Sequence, residues 1–334
     1  MQLMEEVTSE AVLDQAYAWL CQRRRAFPPD ADVWALRRHW QRERPRLCAE
    51  LLAGTYRCAV LSRVTLKSGE EIAFWSARDA LVLKALTVVL AQRLPLSPRC
   101  TYLKDHGGSK GALREVLRHL DAHRFVLCTD IRHYYASIEH DLVLDRLAGC
   151  LQDGRVLNLV AQYLKRTAER GGLFWDSHTG IALGCPLSPL IGAFFLHDLD
   201  QALQRLGLFF ARFMDDVLVL APTRWKLRRA VQVLNRTLAG LHLEKHPAKT
   251  FIGRIDRGFD FLGYHLAPGR LSLARSTIEA FVERAHQLYE QEPGGSAVRL
   301  GAYARRWVAW AGGGLRAVHP PGPAAACTAP PAAG

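Results

Sequence analysis

Apolar runs separated by short polar stretches dominate the chain, and their period changes along its length. Residues 12 to 52 read as helices studded with cations, Arg23, Arg24, Arg25, Arg37, Arg38, Arg42, Arg44 and Arg46, with Trp34 and Trp40 between them. Their charged side is either a solvated face or a surface that tracks phosphates. From Thr55 to Trp75 the alternation is that of strands, and Lys67-Ser68-Gly69-Glu70 puts a turn-forming glycine in the middle, so a β-hairpin is expected. Helices follow from Arg78 to about Arg93, where Pro95 and Pro98 intervene, and from Lys110 through Leu113, Val116, Leu117 and Leu120. The loop Tyr102 to Ser109 lies between them.

Phe125 to Ile131 is an apolar run of strand length that carries one carboxylate, Asp130, near its end. Ser188-Pro189 offers an N-cap and a first-turn proline to a helix with Leu190, Ala193, Phe194, Leu196 and Leu199 at helical spacing. Gly184, just upstream, permits a close backbone approach. Leu208 to Phe213 and Val217 to Leu220 predict a tight hairpin with Met214, Asp215 and Asp216 at its tip. Thr223 caps a helix bearing Leu227, Ala230, Val231, Leu234 and Leu238 that ends at Gly240, and short strands fit Lys249 to Ile255 and Phe259 to Leu266. Strand, helices, strand, strand, helix, strand is the split βαβ order of a ferredoxin-like sheet. Ser276-Thr277-Ile278-Glu279 predicts a capping box before Phe281, Val282, Ala285, Leu288 and Tyr289, and the helical unit continues through Trp310. From Pro320 the chain is Pro, Ala and Gly without periodicity, which reads as a disordered tail.

Composition narrows the class. With 334 residues, 49% hydrophobic and 23% charged, most of the chain must fold, into two or three packed subdomains. Lys and Arg number 44 against 32 Asp and Glu, a net +12, which points to a polyanionic partner, nucleic acid first. Eight scattered cysteines without a Cys-x-x-Cys pair argue against zinc sites and structural disulfides. Glu5, Glu6, Glu10 and Asp14 give the N-terminus the wrong charge for a leader, so a cytoplasmic location is expected. Stretches such as Leu81 to Leu90 and Leu190 to Leu196 fall far short of the roughly 20 residues that cross a bilayer.

The chemistry lies in the carboxylates. Asp215 and Asp216, flanked by Phe209, Phe210, Phe213, Val217, Leu218 and Val219, would repel each other in a poorly solvated spot unless a cation lies near them. An Asp-Asp pair alone is usually an ordinary turn, but the expected sheet sets Asp130 beside the hairpin, so three carboxylates converge at one sheet edge. Hard oxygen ligands with open positions suit Mg²⁺, and two such ions activate an attacking hydroxyl while neutralising a leaving pyrophosphate. The expected reaction is nucleotidyl transfer on two Mg²⁺ ions held by Asp130, Asp215 and Asp216, with Mn²⁺ as a substitute.

Five ordered motifs carry a family resemblance. Thr129-Asp130-Ile131-Arg132-His133-Tyr134-Tyr135-Ala136-Ser137-Ile138, Gly180-Ile181-Ala182-Leu183-Gly184-Cys185-Pro186-Leu187-Ser188-Pro189-Leu190, Arg212-Phe213-Met214-Asp215-Asp216, Lys249-Thr250 and Phe261-Leu262-Gly263-Tyr264 resemble those of bacterial reverse transcriptases of the group II intron type, relatives of retron and maturase enzymes. The resemblance spans roughly residues 50 to 315 and implies an α+β right-hand polymerase. Its parts would be an N-terminal basic helical extension (1–49), helical fingers with a β-hairpin (50–124), a ferredoxin-like palm (125–268), a helical thumb (269–316) and the tail (317–334). It implies Mg²⁺-dependent, RNA-templated addition of dNTPs to the 3′-hydroxyl of a DNA or RNA primer, with a dedicated structured RNA as a further partner and no membrane. Group II-like free-standing enzymes, retrons, phage-defence systems and CRISPR adaptation use relatives of this kind, and without a Cys- and His-rich finger after the thumb autonomous intron mobility is not expected.

By that resemblance Asp130 and Asp215 would hold both metals with Asp216 as an acidic neighbour, and Tyr135 would be the steric gate that excludes a 2′-hydroxyl. Lys104 would offer a cation to the triphosphate, Gly107-Gly108 would add amide donors, and Ile131 and Gly184 would line the nucleotide site. Lys249 matches a lysine that protonates the pyrophosphate, although a strand-capping lysine is the competing reading and His246 an alternative donor. Leu183 stands where most members carry Gln, which implies reduced base discrimination. Arg305, Arg306, Trp307 and Trp310 would grip the duplex by charge and stacking, or else form a packed amphipathic helix with snorkelling arginines. The rival readings are a catalytically weak, maturase-like RNA-binding protein and a DNA-templated repair polymerase or terminal transferase.

Overall fold

The computed structural model describes residues 2–65, 71–291 and 296–316. Within them an α+β chain is organised on three small sheets. Four helices, Leu3–Val7, Glu10–Arg23, Asp32–Arg38 and Trp40–Ala53, open the chain. They bury Met4, Leu13, Leu20, Val33 and Leu47 in a core shared with helix Ala77–Arg93. That helix is buried around most of its circumference, which is why its sequence carries so few polar residues. Most cations of the first helices stay outside, where Arg44 and Arg46 pair with Glu10 and Glu43, but Arg24 is buried and donates to Asp32 and to the Trp75 carbonyl.

The central sheet runs in the order Phe209–Phe213, Asp216–Ala221, Phe125–Thr129, Phe251–Arg254, every neighbour antiparallel. This is the expected split βαβ order. Successive residues serve two cores: Leu127, Phe210, Val217 and Val219 pack with helices His197–Arg205 and Arg224–Gly240. Val126, Cys128, Leu218 and Leu220 pack with helix Gly108–Leu120 and with Phe259 and Phe261. Burial on both faces explains the unbroken apolar runs in the sequence. Thr223 caps its helix as expected, its side chain accepting from the Lys226 N–H.

Several local expectations are corrected. The hairpin of Leu61–Thr65 and Glu71–Phe74 forms, while its predicted turn at residues 67–70 lies outside the described residues, as does the tail from 317. The sheet is wider than expected, because Leu61–Thr65 also runs parallel to Thr167–Arg170, which turns back into Leu173–Asp176. Gly171 and Gly172, at φ +59° and +84°, supply the two left-handed positions of a mirror-image hairpin turn. Ser188 is a helical residue rather than an N-cap: Leu187 takes the cap position, and the Ser188 hydroxyl bonds Tyr163 and the Ala182 carbonyl. The helix breaks at Leu196 into Ser188–Phe195 and His197–Arg205.

Phe259 to Leu266 is likewise two strands, Phe259–Phe261 and Tyr264–Ala267, joined through Leu262 and Gly263 at positive φ and completed by Arg270–Leu273 as a separate sheet. The predicted capping box is not made. Helix Arg275–Gln291 begins one residue before Ser276, Thr277 donates to the Gly263 carbonyl at 3.0 Å, and Glu279 takes Arg275 at 2.7 Å. Helix Ser296–Leu315 follows.

Candidate active site

Three strand ends meet where the carboxylates lie. The Ile131 N–H donates to the Asp215 carbonyl at 3.3 Å and the His246 N–H to the Asp130 carbonyl at 2.7 Å, while the Thr129 and Thr250 hydroxyls pair at 2.7 Å. These bonds tie the residue after the first strand to the hairpin on one side and to the last strand on the other. The Asp130 carboxylate, 15% exposed, accepts from Lys249 Nζ at 3.1 Å. Asp130, Asp216 and Lys249 line one cavity of about 780 Å³, whose far wall includes Asp260 and Gly263.

The electrostatics are those of crowded anions. Burial, then Asp215 and Asp130, push the Asp216 carboxyl up to about 7, with Lys249 opposing. Asp215 is also raised, by burial first and then by Asp130. Three hard oxygen donors, mutually repelling and answered by a single lysine, are a donor set suited to a divalent cation. Among the described residues, however, no three Asp, Glu, His or Cys side chains close into a finished metal cage. The carboxylates share one field at one end of the sheet, and Asp130 leans on Lys249.

The tip carrying Asp215 and Asp216 is held from beneath by a residue that sequence reading did not single out. Met214 sits at φ +56°, a left-handed conformation that costs a side-chain-bearing residue about 1–3 kcal/mol. Arg212, wholly buried, donates Nη1 to the Met214 carbonyl at 3.0 Å. The same guanidinium grips Asp200 through Nε (2.8 Å) and Nη2 (2.6 Å), and gives Nη2 to the Ala193 carbonyl at 3.0 Å. Asp200 carries Arg212's counter-charge from helix His197–Arg205, so the pair fixes the strained turn to the helical layer behind it. The signal available was an arginine in the apolar run Leu208 to Phe213, since an interior cation needs a partner.

Tyr135, in the short helix Tyr134–Ser137, lies against Gly192, where an added Cβ would stand 3.0 Å from the Tyr135 ring. Among the described residues its hydroxyl is buried without a hydrogen-bond partner, and its pKa is raised by burial, then by Tyr102 and Asp215, so it sits in the field of the same centre. Tyr102 packs edge-on against Phe213 at 5.1 Å. Ile131 is 1% exposed, so its side chain belongs to the core and its N–H serves the Asp215 turn rather than a ligand. His246 keeps its ring Nδ1 buried, with no partner among the described residues.

Among the described residues, the other expected residues form no hydrogen bond or ion pair with the carboxylates. Lys104 is exposed, and it neighbours Lys84, whose pKa is lowered by burial and then by Lys104. The Gly108 N–H is committed to the Thr101 carbonyl at 2.9 Å, which removes it from the amide donors anticipated for phosphate. Leu183 is 71% exposed and followed by Gly184 at φ +83°. In the last helix Arg305 and Arg306 are exposed, while Trp307 stacks on Phe281 at 4.2 Å and Trp310 packs on Tyr264 at 5.2 Å beneath Lys110. Both tryptophans are therefore engaged in packing. Lys110, its pKa lowered to about 8 by burial, also bonds the Tyr264 hydroxyl. Among the described residues no helix is long and apolar enough to cross a membrane.

Residues 78–266, more than half of the chain, match the family described as reverse transcriptase (RNA-dependent DNA polymerase), and the chain belongs to that family. Among curated proteins, the protein YkfC of Escherichia coli (strain K12) is 23% identical over 178 residues, which cover 43% of this chain and 47% of YkfC. The chain thus spans about half the length of that relative. Two solved assemblies, a partial Cas6-RT-Cas1–Cas2 complex and the Cas6-RT-Cas1–Cas2 complex, each align at a TM-score of 0.43 and 16% identity over 72% of this chain, and over 42% and 26% of those chains.

Proposed function

We propose that this chain is an RNA-directed DNA polymerase of the right-hand type, with residues 1–49 as a basic extension, 50–124 as fingers, 125–268 as palm and 269–316 as thumb. The observation that carries the reading is the group of half-buried, mutually repelling Asp130, Asp215 and Asp216 beside Lys249, in a chain of the reverse transcriptase family. Asp130 and Asp215, with Asp216 beside them, would hold magnesium, which when bound supplies charge neutralisation and a more acidic primer 3′-hydroxyl.

The chain's own groups do the rest. Lys249, 60% exposed and 3.1 Å from Asp130, holds a proton at Nζ where a departing pyrophosphate can take it. Tyr135, packed against Gly192, presents an aromatic wall to the sugar and disfavours a 2′-hydroxyl. Lys104, exposed beside Lys84, would offer a cation to the triphosphate. Arg212 and Asp200 hold the Met214 turn so that the hairpin carboxylates do not drift.

The test is primer extension on matched RNA and DNA templates with Mg²⁺ or Mn²⁺. Copying of the RNA template, and its loss in Asp130→Asn, is expected. Tight RNA binding without incorporation on any template would overturn the proposal in favour of an RNA-binding role, and extension confined to DNA templates would favour a repair polymerase.

A further inference from the structure

A groove of about 750 Å³ runs between helix Arg224–Gly240 and the outermost strand of the central sheet, Phe251–Arg254. It takes no part in the chemistry above. Phe125, at the start of its strand, lines the groove, whereas Asp130 follows the end of that strand. A strand of this length separates the two by roughly 15 Å.

The groove has two characters. Its floor is apolar, with Leu227, Val231 and Ile252; Ile252 is 46% exposed because the strand pairs with no further described strand on its outer side. Its rim is cationic. The helix carries Arg224, Lys226, Arg228, Arg229 and Arg236 with no acidic residue. Arg224, Arg228 and Arg257 line the groove, and among the described residues none of the three forms an ion pair; only Arg254 is matched, by Asp256 at 2.9 Å. At the helix start Trp225 is 70% exposed, with the Arg228 guanidinium 5.1 Å from its ring.

An occupant must therefore bring several negative charges and flat apolar faces together. A nucleic-acid duplex offers phosphates but hides its bases, and an acidic peptide offers carboxylates without a run of π-faces. An unpaired strand offers both, with phosphates for the arginines and bases for Trp225 and the floor. We propose that this groove binds single-stranded RNA, holding it away from the carboxylates while chemistry proceeds there. The choice of RNA over DNA rests on the RNA-directed reading above.

The experiment is fluorescence anisotropy of a short unpaired oligoribonucleotide over a salt series. It compares the wild-type chain with Arg224→Glu/Arg228→Glu/Arg257→Glu and with Trp225→Ala. The triple variant is expected to weaken binding by about tenfold or more and to lower the log–log salt slope by about 2, since each phosphate neutralised on a single strand contributes about 0.7. Trp225→Ala is expected to weaken binding several-fold without moving the slope, and extension of a primer on a minimal overhang should keep its wild-type rate in both.

Unchanged affinity and slope in a triple variant that melts like the wild type would overturn the inference. So would equally tight, arginine-dependent binding of an RNA duplex or of a poly-glutamate peptide. If charge reversal prevents folding, the single Arg→Gln variants read the same slope one phosphate at a time. Arginine-dependent binding in a chain that extends no primer would uphold the groove while refuting the polymerase reading, and extension without such binding would do the reverse.

Discussion

Asp216→Asn should make the metal-free protein more stable, and increasingly so as pH rises. The carboxyl is pushed from 3.8 to about 7 by burial and by Asp215 and Asp130, so the folded state holds a proton that the unfolded chain has already released. Between those two values the native state binds more protons, and stability falls by about 1.4 kcal/mol per pH unit. Below the unfolded value the group carries no penalty; above about 7 the penalty is full, about 4 kcal/mol as an upper bound. Partial solvation reduces this, and a loss of about 2 kcal/mol between about pH 5 and about pH 8 is expected. For a chain of this size that is a shift of about 3 °C in Tm. The assay is thermal melting in EDTA across that range for the wild type and the asparagine variant. The variant's advantage should grow with pH, and magnesium at the alkaline end should raise the wild type more than the variant. A Tm difference that stays constant with pH, or that narrows, would refute the reasoning.

Removing one partner of the buried pair should be severe. Asp200→Asn strands the Arg212 charge in the interior and should cost about 3–5 kcal/mol in denaturant unfolding. The double variant Arg212→Met/Asp200→Leu should recover most of that stability yet stay slow in primer extension, because the Met214 carbonyl loses its donor. Lys249→Met should lower kcat by about 10²-fold or more with little change in KM, as expected for a proton donor; a strand-capping lysine would leave the rate intact and move only Tm. Leu183→Gln, on the exposed loop before Gly184, should narrow the misincorporation spectrum in sequenced products, and an unchanged spectrum removes the link between Leu183 and base discrimination.

Much of the fold was legible because three strands of the central sheet keep one pattern from end to end. Phe125 to Thr129, Phe209 to Phe213 and Asp216 to Ala221 are buried on both faces, so their apolar runs announce them, and the turn at Asp215 needs little sequence between two such runs. What stayed hidden depends on contacts distant in the chain. Leu173–Asp176 has all four residues exposed, so no alternation marks it, and only Gly171-Gly172 signals the turn. Ser188 looks like a cap, but Tyr163 and the Ala182 carbonyl claim its hydroxyl. Trp307 and Trp310 read equally as a surface for bases or as a packed helix face; Trp307 stacks on Phe281 and Trp310 packs on Tyr264 while staying 37% exposed. At the site, the three Asp residues were singled out by the expected sheet and Lys249 by the family resemblance, whereas the support beneath them was not, because Arg212 and Asp200 lie 12 residues apart in different elements.

The central claim is that Asp130 and the hairpin carboxylates act as one cation-binding centre although they come from separate strands. Titration of the protein with Mn²⁺, read by loss of the free-ion electron paramagnetic resonance signal, tests it directly. The wild type should show saturable binding that Asp130→Asn and Asp215→Asn each abolish or weaken by about tenfold or more. Binding that survives both substitutions unchanged would contradict the account.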